Sequence, residues 1–102
     1  MNLPEKVIVR QILGYLKRIC QAVGKVKTMG VRRNNQWCRD PYLFLGFPDI
    51  CGFRNNKIFF VEVKAKGNRQ TPHQKSFQES CDKAGLTYIL AYDLSDVREV
   101  IF

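Results

Sequence analysis

Apolar residues recur at spacings of three and four near the start of the chain: Ile8, Ile12, Leu16, Ile19 and Val23. That period predicts an amphipathic helix over residues 4–22. Pro4 suits its first turn, where a missing N–H costs nothing, and Gly24 is the expected stop. Residues 25–29, KVKTM, read as a short strand, GVRRNNQ as a basic loop, and WCR as a return to extended chain. Residues 49–54 and 57–64 form two apolar runs separated by Asn55-Asn56. Asparagine tolerates positive φ, so these runs predict a tight hairpin. Thr71-Pro72-His73-Gln74 opens a second helix with a capping box and a proline at its first position. Phe77, Cys81 and Ala84 supply its inner stripe, and Gly85 closes it. TYILAYD, residues 87–93, is an apolar strand, and Ser95 is the expected cap of a last helix carrying Val97, Val100 and Ile101. The order α-β-β-β-α-β-α predicts one mixed α/β domain over residues 1–102.

The hairpin fixes a register. With Asn55-Asn56 as the turn, Arg54 faces Lys57, Phe53 faces Ile58 and Asp49 faces Glu62. Strand alternation places Lys64 on the same face as Glu62. Ile50, Gly52, Phe59, Val61 and Val63 line the other face, so both faces look covered, as in central strands. Two opposed carboxylates in apolar surroundings repel unless a cation joins them. Mg²⁺ suits the position, binding through one or two carboxylates and keeping water or phosphate elsewhere. The Val63 carbonyl is a further oxygen ligand beside Glu62, and Lys64 a point charge for a phosphate oxygen or a water. The plainer alternative is a structural ion pair of Lys64 with Glu62 or Asp49.

Charge sharpens the reading. The net charge is +8, and residues 25–75 hold eleven basic against three acidic side chains, while the flanks cancel. A field so placed favours a polyanion such as nucleic acid; a basic, soluble surface without a partner is the bland reading. No apolar run reaches a membrane span, and the first residues lack a secretory signal, so an intracellular, cytoplasmic protein is expected. The four cysteines are widely separated with no C-x-x-C pair; free thiols are expected rather than zinc or disulfides.

Gly46-Phe47-Pro48-Asp49, Gly52-Phe53, Glu62-Val63-Lys64 and Thr71-Pro72-x-Gln74 together resemble the VRR-NUC domain of the PD-(D/E)XK nucleases. The resemblance runs from the Glu5 helix to the strand at 87–93. It implies a restriction-endonuclease-like fold, a central mixed β-sheet flanked by helices. It also implies a metal-dependent endonuclease acting on DNA, similar to Holliday-junction resolvases and often homodimeric. Asp49 and Glu62 would bind Mg²⁺ or Mn²⁺, Lys64 would be catalytic, and Gln74 would lie beside the site. Glu5 matches an acidic residue that relatives add to the metal shell. Val9 stands where relatives often carry glutamine. A stand-alone member is compatible with a viral origin and a host cytoplasm. A flap or nicking nuclease, and a catalytically weak DNA-binding module of this fold, are the alternatives.

Several of these residues have simpler roles open to them. Gln74 completes the capping box, yet lies on the Phe77/Cys81 stripe. Glu5 favours a helix N-terminus in any case. Arg32, Arg33 and Arg39, with Lys66 and Arg69, suit phosphate contacts or plain solvation. Trp37 suits a core or interface better than base stacking, and His73 suits an exposed first turn better than proton transfer.

Overall fold

The computed structural model describes residues 2–26, 31–33, 36–38, 42 and 44–102. Helix α1 (Glu5–Ile19) buries Ile8, Val9, Ile12 and Leu16. It stops short of the expected end. Cys20 turns extended, and the next residues, β1 (Ala22–Lys25), pair antiparallel with β4 (Ile50–Arg54). Val23, which the helical period claimed, therefore sits in a strand opposite Gly52, and Gly24 caps nothing. The physical reason is a competing use of the backbone: β1 gains a ladder of bonds to β4, and the Arg54 guanidinium donates to the Ile19 carbonyl at the helix end. Pro4 is the N-cap rather than a first-turn residue.

The expected strand at 25–29 thus begins earlier, at Ala22, and its residues 27–29 lie outside the described residues. Within the expected loop, β2 (Val31–Arg33) pairs antiparallel with β3 (Gln36–Cys38), Arg32 opposite Trp37, while residues 30, 34 and 35 lie outside the described residues. Arg39 lies outside the described residues.

β4 and β5 (Lys57–Val63) keep the register read from sequence, with Ile50 opposite Val61 and Arg54 opposite Lys57. Asn55 and Asn56 take φ of 51° and 69°, the mirror-image turn that matches strand twist. Gln21 locks that turn to the end of α1, accepting from the Asn55 N–H and donating to its Oδ1, both at 3.1 Å. β5 then leads through α2 (Pro72–Ala84) to β6 (Thr87–Ala91), parallel to it. The main sheet runs β1-β4-β5-β6.

Helices cover both sides. On one, α1 and the short α3 (Leu94–Arg98) pack on Ile50, Phe59, Val61, Val63, Ile89 and Ala91. Tyr15 ties α1 to the chain end by donating to the Ile101 carbonyl at 2.8 Å. On the other, α2 packs Phe77 and Cys81 on Phe60, Phe47, Cys51 and Tyr88. Ala84 is exposed rather than part of the stripe; it is the last residue of α2, beside the Gly85 cap. The second face is also only partly covered. Phe53 and Ile58, at the hairpin tip, are about half exposed (48% and 49%), since α2 sits over the other end of the strands.

The α3 cap is Asp93, not Ser95: Asp93 and Asp96 make a reciprocal capping box, and Ser95 donates to Asp93. A carboxylate accepts more readily there than a hydroxyl, and its charge suits the helix dipole. Val97 and Ile101 are buried as expected, whereas Val100 lies beyond the helix and is exposed. Among the described residues no helix is long and apolar enough to cross a membrane.

Candidate functional site

The site forms where β4 begins and β5 ends. Residues 46–49 reach it by lying against the first turn of α2. Gly46 has φ of +75°, and a Cβ there would stand 2.3 Å from the His73 carbonyl oxygen. Only glycine tolerates both the conformation and the contact. Phe47 then anchors the segment edge-on to Phe60 and Phe77, at centroid distances of 5.6 and 5.2 Å, and Pro48 is fully buried. Asp49 is held at both ends: its carbonyl accepts from the Val26 N–H and its Oδ2 from the Val63 N–H, each at 2.8 Å.

Glu62 is 2% exposed and lies on the α2 face of β5. Its carboxyl and that of Asp49 approach closely enough to share a proton. Its Oε1 is buried without a hydrogen-bond partner. Desolvation is the larger cause that pushes the Glu62 carboxyl up to about 8, followed by the bond to Asp49 and its charge; Lys64 opposes the rise and Glu5 adds to it. Glu5, in the first turn of α1, accepts from the Ala65 N–H at 3.3 Å. Asp49 and Glu62 therefore meet, with the Lys64 and Glu5 charges near enough to act on them, although among the described residues no three His, Cys, Asp or Glu side chains stand together as a metal-binding group.

The Asp49/Glu62 pair suits a hard divalent cation of the kind held by one or two carboxylates. Buried polar atoms are nearly always satisfied, and here a hard oxygen is orphaned beside a second carboxylate. Either a proton or a cation must relieve the repulsion, and oxygen ligands select Mg²⁺ or Mn²⁺ over softer chemistry. The geometry that sends the Val63 N–H toward Asp49 sends its carbonyl to the same edge.

A family model described as the VRR-NUC domain matches residues 5–92, most of the chain. The chain belongs to the VRR-NUC family. It is a nuclease domain of PD-(D/E)XK-like fold, and the mixed four-stranded sheet flanked by helices is that fold. No curated protein and no solved structure matches the chain.

The VRR-NUC motif residues occupy distinct places. Asp49 and Glu62 meet, and Lys64 and Glu5 lie near enough for their charges to act on Glu62. Gln74 starts α2 half-buried, with its Oε1 accepting from the Thr71 N–H at 2.8 Å, so the capping box takes its oxygen and leaves its amide nitrogen unused among the described residues. Lys66 and Arg69 are exposed on the connection from β5 to α2. Arg32 and Arg33 lie in β2, paired with β3. His73 is exposed in the first turn of α2. Cys20, Cys51 and Cys81 are free thiols raised by burial.

Sequence reading missed the aromatic clamp and one polar pair. Phe47 counted only as a motif letter, although its ring positions Asp49. Tyr88 counted only as an apolar strand residue, yet its hydroxyl accepts from the Gln70 side chain at 3.1 Å. A tyrosine among aliphatic neighbours, with a phenol to satisfy, was the available signal.

Proposed function

We propose that this chain is a divalent-metal-dependent endodeoxyribonuclease, one nuclease domain whose site is Asp49, Glu62, Lys64, Gln74 and the Val63 carbonyl, with Glu5 as a further acidic neighbour. The observation that carries the reading is the buried, unpartnered Glu62 Oε1 beside Asp49. Asp49 and Glu62 would hold Mg²⁺ or Mn²⁺. When bound, the ion polarises the scissile phosphate and lowers the pKa of an attacking water. Lys64 places positive charge where negative charge grows in the transition state, commonly the largest source of acceleration. The Gln74 amide donates at the same edge. Lys66 and Arg69, with Arg32, Arg33 and Arg39, bind the flanking DNA backbone, in keeping with the basic middle of the chain.

The preferred substrate in this reading is branched DNA, a four-way junction or a related structure, cut by a homodimer. A two-fold pair presents two equivalent sites for paired cuts, and the half-exposed Phe53 and Ile58 offer an apolar face for such pairing. The setting is the cytoplasm. Incubation with junction, flap, duplex and single-stranded DNA in Mg²⁺, Mn²⁺ or chelator tests the proposal. Chelator-sensitive cutting of branched DNA is expected; salt-dependent binding without cleavage in either metal contradicts it.

A further inference from the structure

Tyr88 lies in β6 beside Phe60 in parallel register, so its side chain projects from the α2 face of the sheet, the face that carries Glu62. It is half-buried, with its ring tilted against Phe77 at 6.2 Å between centroids. The hydroxyl oxygen accepts from Gln70 Nε2 at 3.1 Å, which orients the phenol from the loop just before α2. Accepting leaves the proton free, and among the described residues nothing takes it. Glu62 Oε1, on the same face, is a buried acceptor with no donor. An unspent donor and an orphaned acceptor on one face are not bonded to each other. A guest carrying oxygen atoms and associated positive charge satisfies both.

Resting on the nuclease reading, we propose that Tyr88 is a further substrate-binding residue of this site: its O–H, held by Gln70, donates to a non-bridging oxygen of the DNA phosphate bound at the carboxylate pair. Nothing is transferred in this role; the phenol stays neutral before and after. Its chemistry favours that. Desolvation, with the nearby Glu62 and Asp49 charges, outweighs the Gln70 bond and pushes the phenol up to about 12, so it remains a donor throughout the working range. A neutral donor is also the kind that a site crowded with carboxylates accepts without altering its charge. Gln70 is a positioning residue, acting through Tyr88.

The test compares wild type, Tyr88→Phe, Gln70→Leu and the Tyr88→Phe, Gln70→Leu double variant on a cleavable DNA and on its two phosphorothioate diastereomers. Tyr88→Phe is expected to lose about 10²-fold in kcat, the usual effect of removing one transition-state donor. It is also expected to abolish the rate difference specific to one diastereomer, while Mn²⁺ affinity and Tm stay unchanged. Gln70→Leu should lose less, and the double variant no more than Tyr88→Phe alone, because the two act as one unit. A readout without turnover accompanies these. In protein labelled with 3-fluorotyrosine, the resonance missing from Tyr88→Phe should shift when DNA is added in Ca²⁺. Should wild type cut while Tyr88→Phe cuts equally well with an unchanged thio effect, this proposal fails and the nuclease reading stands. Wild type cutting nothing with either metal overturns both. If Tyr88→Phe unfolds early, Gln70→Leu decides: a wild-type rate and thio effect there overturn the proposal.

Discussion

The Val63 N–H donates to Asp49 Oδ2 at 2.8 Å, so the strand that carries Glu62 and leads into Lys64 also fixes the Asp49 carboxylate. Backbone pairing alone would set Asp49 at the right height. This bond sets its direction, beside a Glu62 carboxyl whose proton affinity its presence raises. The site is thus assembled against its own electrostatics.

That arrangement predicts a stability gain on disarming the site. Glu62→Gln removes a buried carboxyl whose charged form is disfavoured. In chelator at pH 8, its Tm is expected to exceed that of wild type, each kcal/mol recovered raising Tm by about 4–8 °C for a domain of this size. Mn²⁺ should stabilise wild type and leave the variant unmoved. Differential scanning fluorimetry reads both; a variant less stable than wild type in chelator contradicts the burial argument.

The same group sets a pH dependence. Unfolded, Glu62 titrates near 4.5; folded, near 8. Between these values the native state holds a proton that the unfolded state has released, so stability falls as pH rises through the window and is fully present below it. Metal-free Tm should decline from about pH 4.5 to pH 8, and the slope should shrink in Glu62→Gln. Cleavage with limiting Mg²⁺ should rise over the same range, because the shared proton leaves as the ion enters.

Lys64→Ala should separate chemistry from binding. Its expected loss is about 10²–10³-fold in kcat, with Mn²⁺ affinity unchanged and DNA affinity changed little. Single-turnover cleavage beside a binding assay in Ca²⁺ distinguishes this from a structural ion pair, in which Tm would fall and kcat would follow it.

Gly46→Ala should damage the site from outside it. The left-handed conformation costs about 1–2 kcal/mol for a residue with a side chain, and the Cβ would meet the His73 carbonyl oxygen at 2.3 Å. The segment carrying Asp49 must shift, so both Tm and Mn²⁺ affinity should drop. Gln74→Glu is the contrasting case: it keeps the capping oxygen and removes the amide donor, so Tm should hold while cleavage falls about tenfold.

Where local chemistry left few options, the sequence was readable. Asn55-Asn56 permits a narrow set of turns, which fixed the register and placed Asp49 opposite Glu62. Thr71, Pro72, Gln74 and Gly85 marked both ends of α2. The rest depended on partners distant in sequence. Ile19 and Val23 are spaced as a helix continues, but β4 claims residues 22–25 and Arg54 stops the helix. Asp93 and Ser95 are both competent caps two residues apart, and the helix takes the charged one. Alternation puts Phe53 and Ile58 on the face shared with Asp49 and Glu62; it holds no information on how far a helix covers that face. Tyr88 belongs to the site only through Gln70 and the fold of the parallel crossover.

The central claim is that two carboxyl groups exchange a shared proton for a divalent ion. Titrating metal-free protein with Mn²⁺ at pH 7 by calorimetry, in two buffers of different ionisation enthalpy, measures it directly. Saturable binding that releases about one proton, and that disappears in Asp49→Asn, is the predicted result. Absence of saturable binding, or binding that Asp49→Asn leaves intact, would contradict the account.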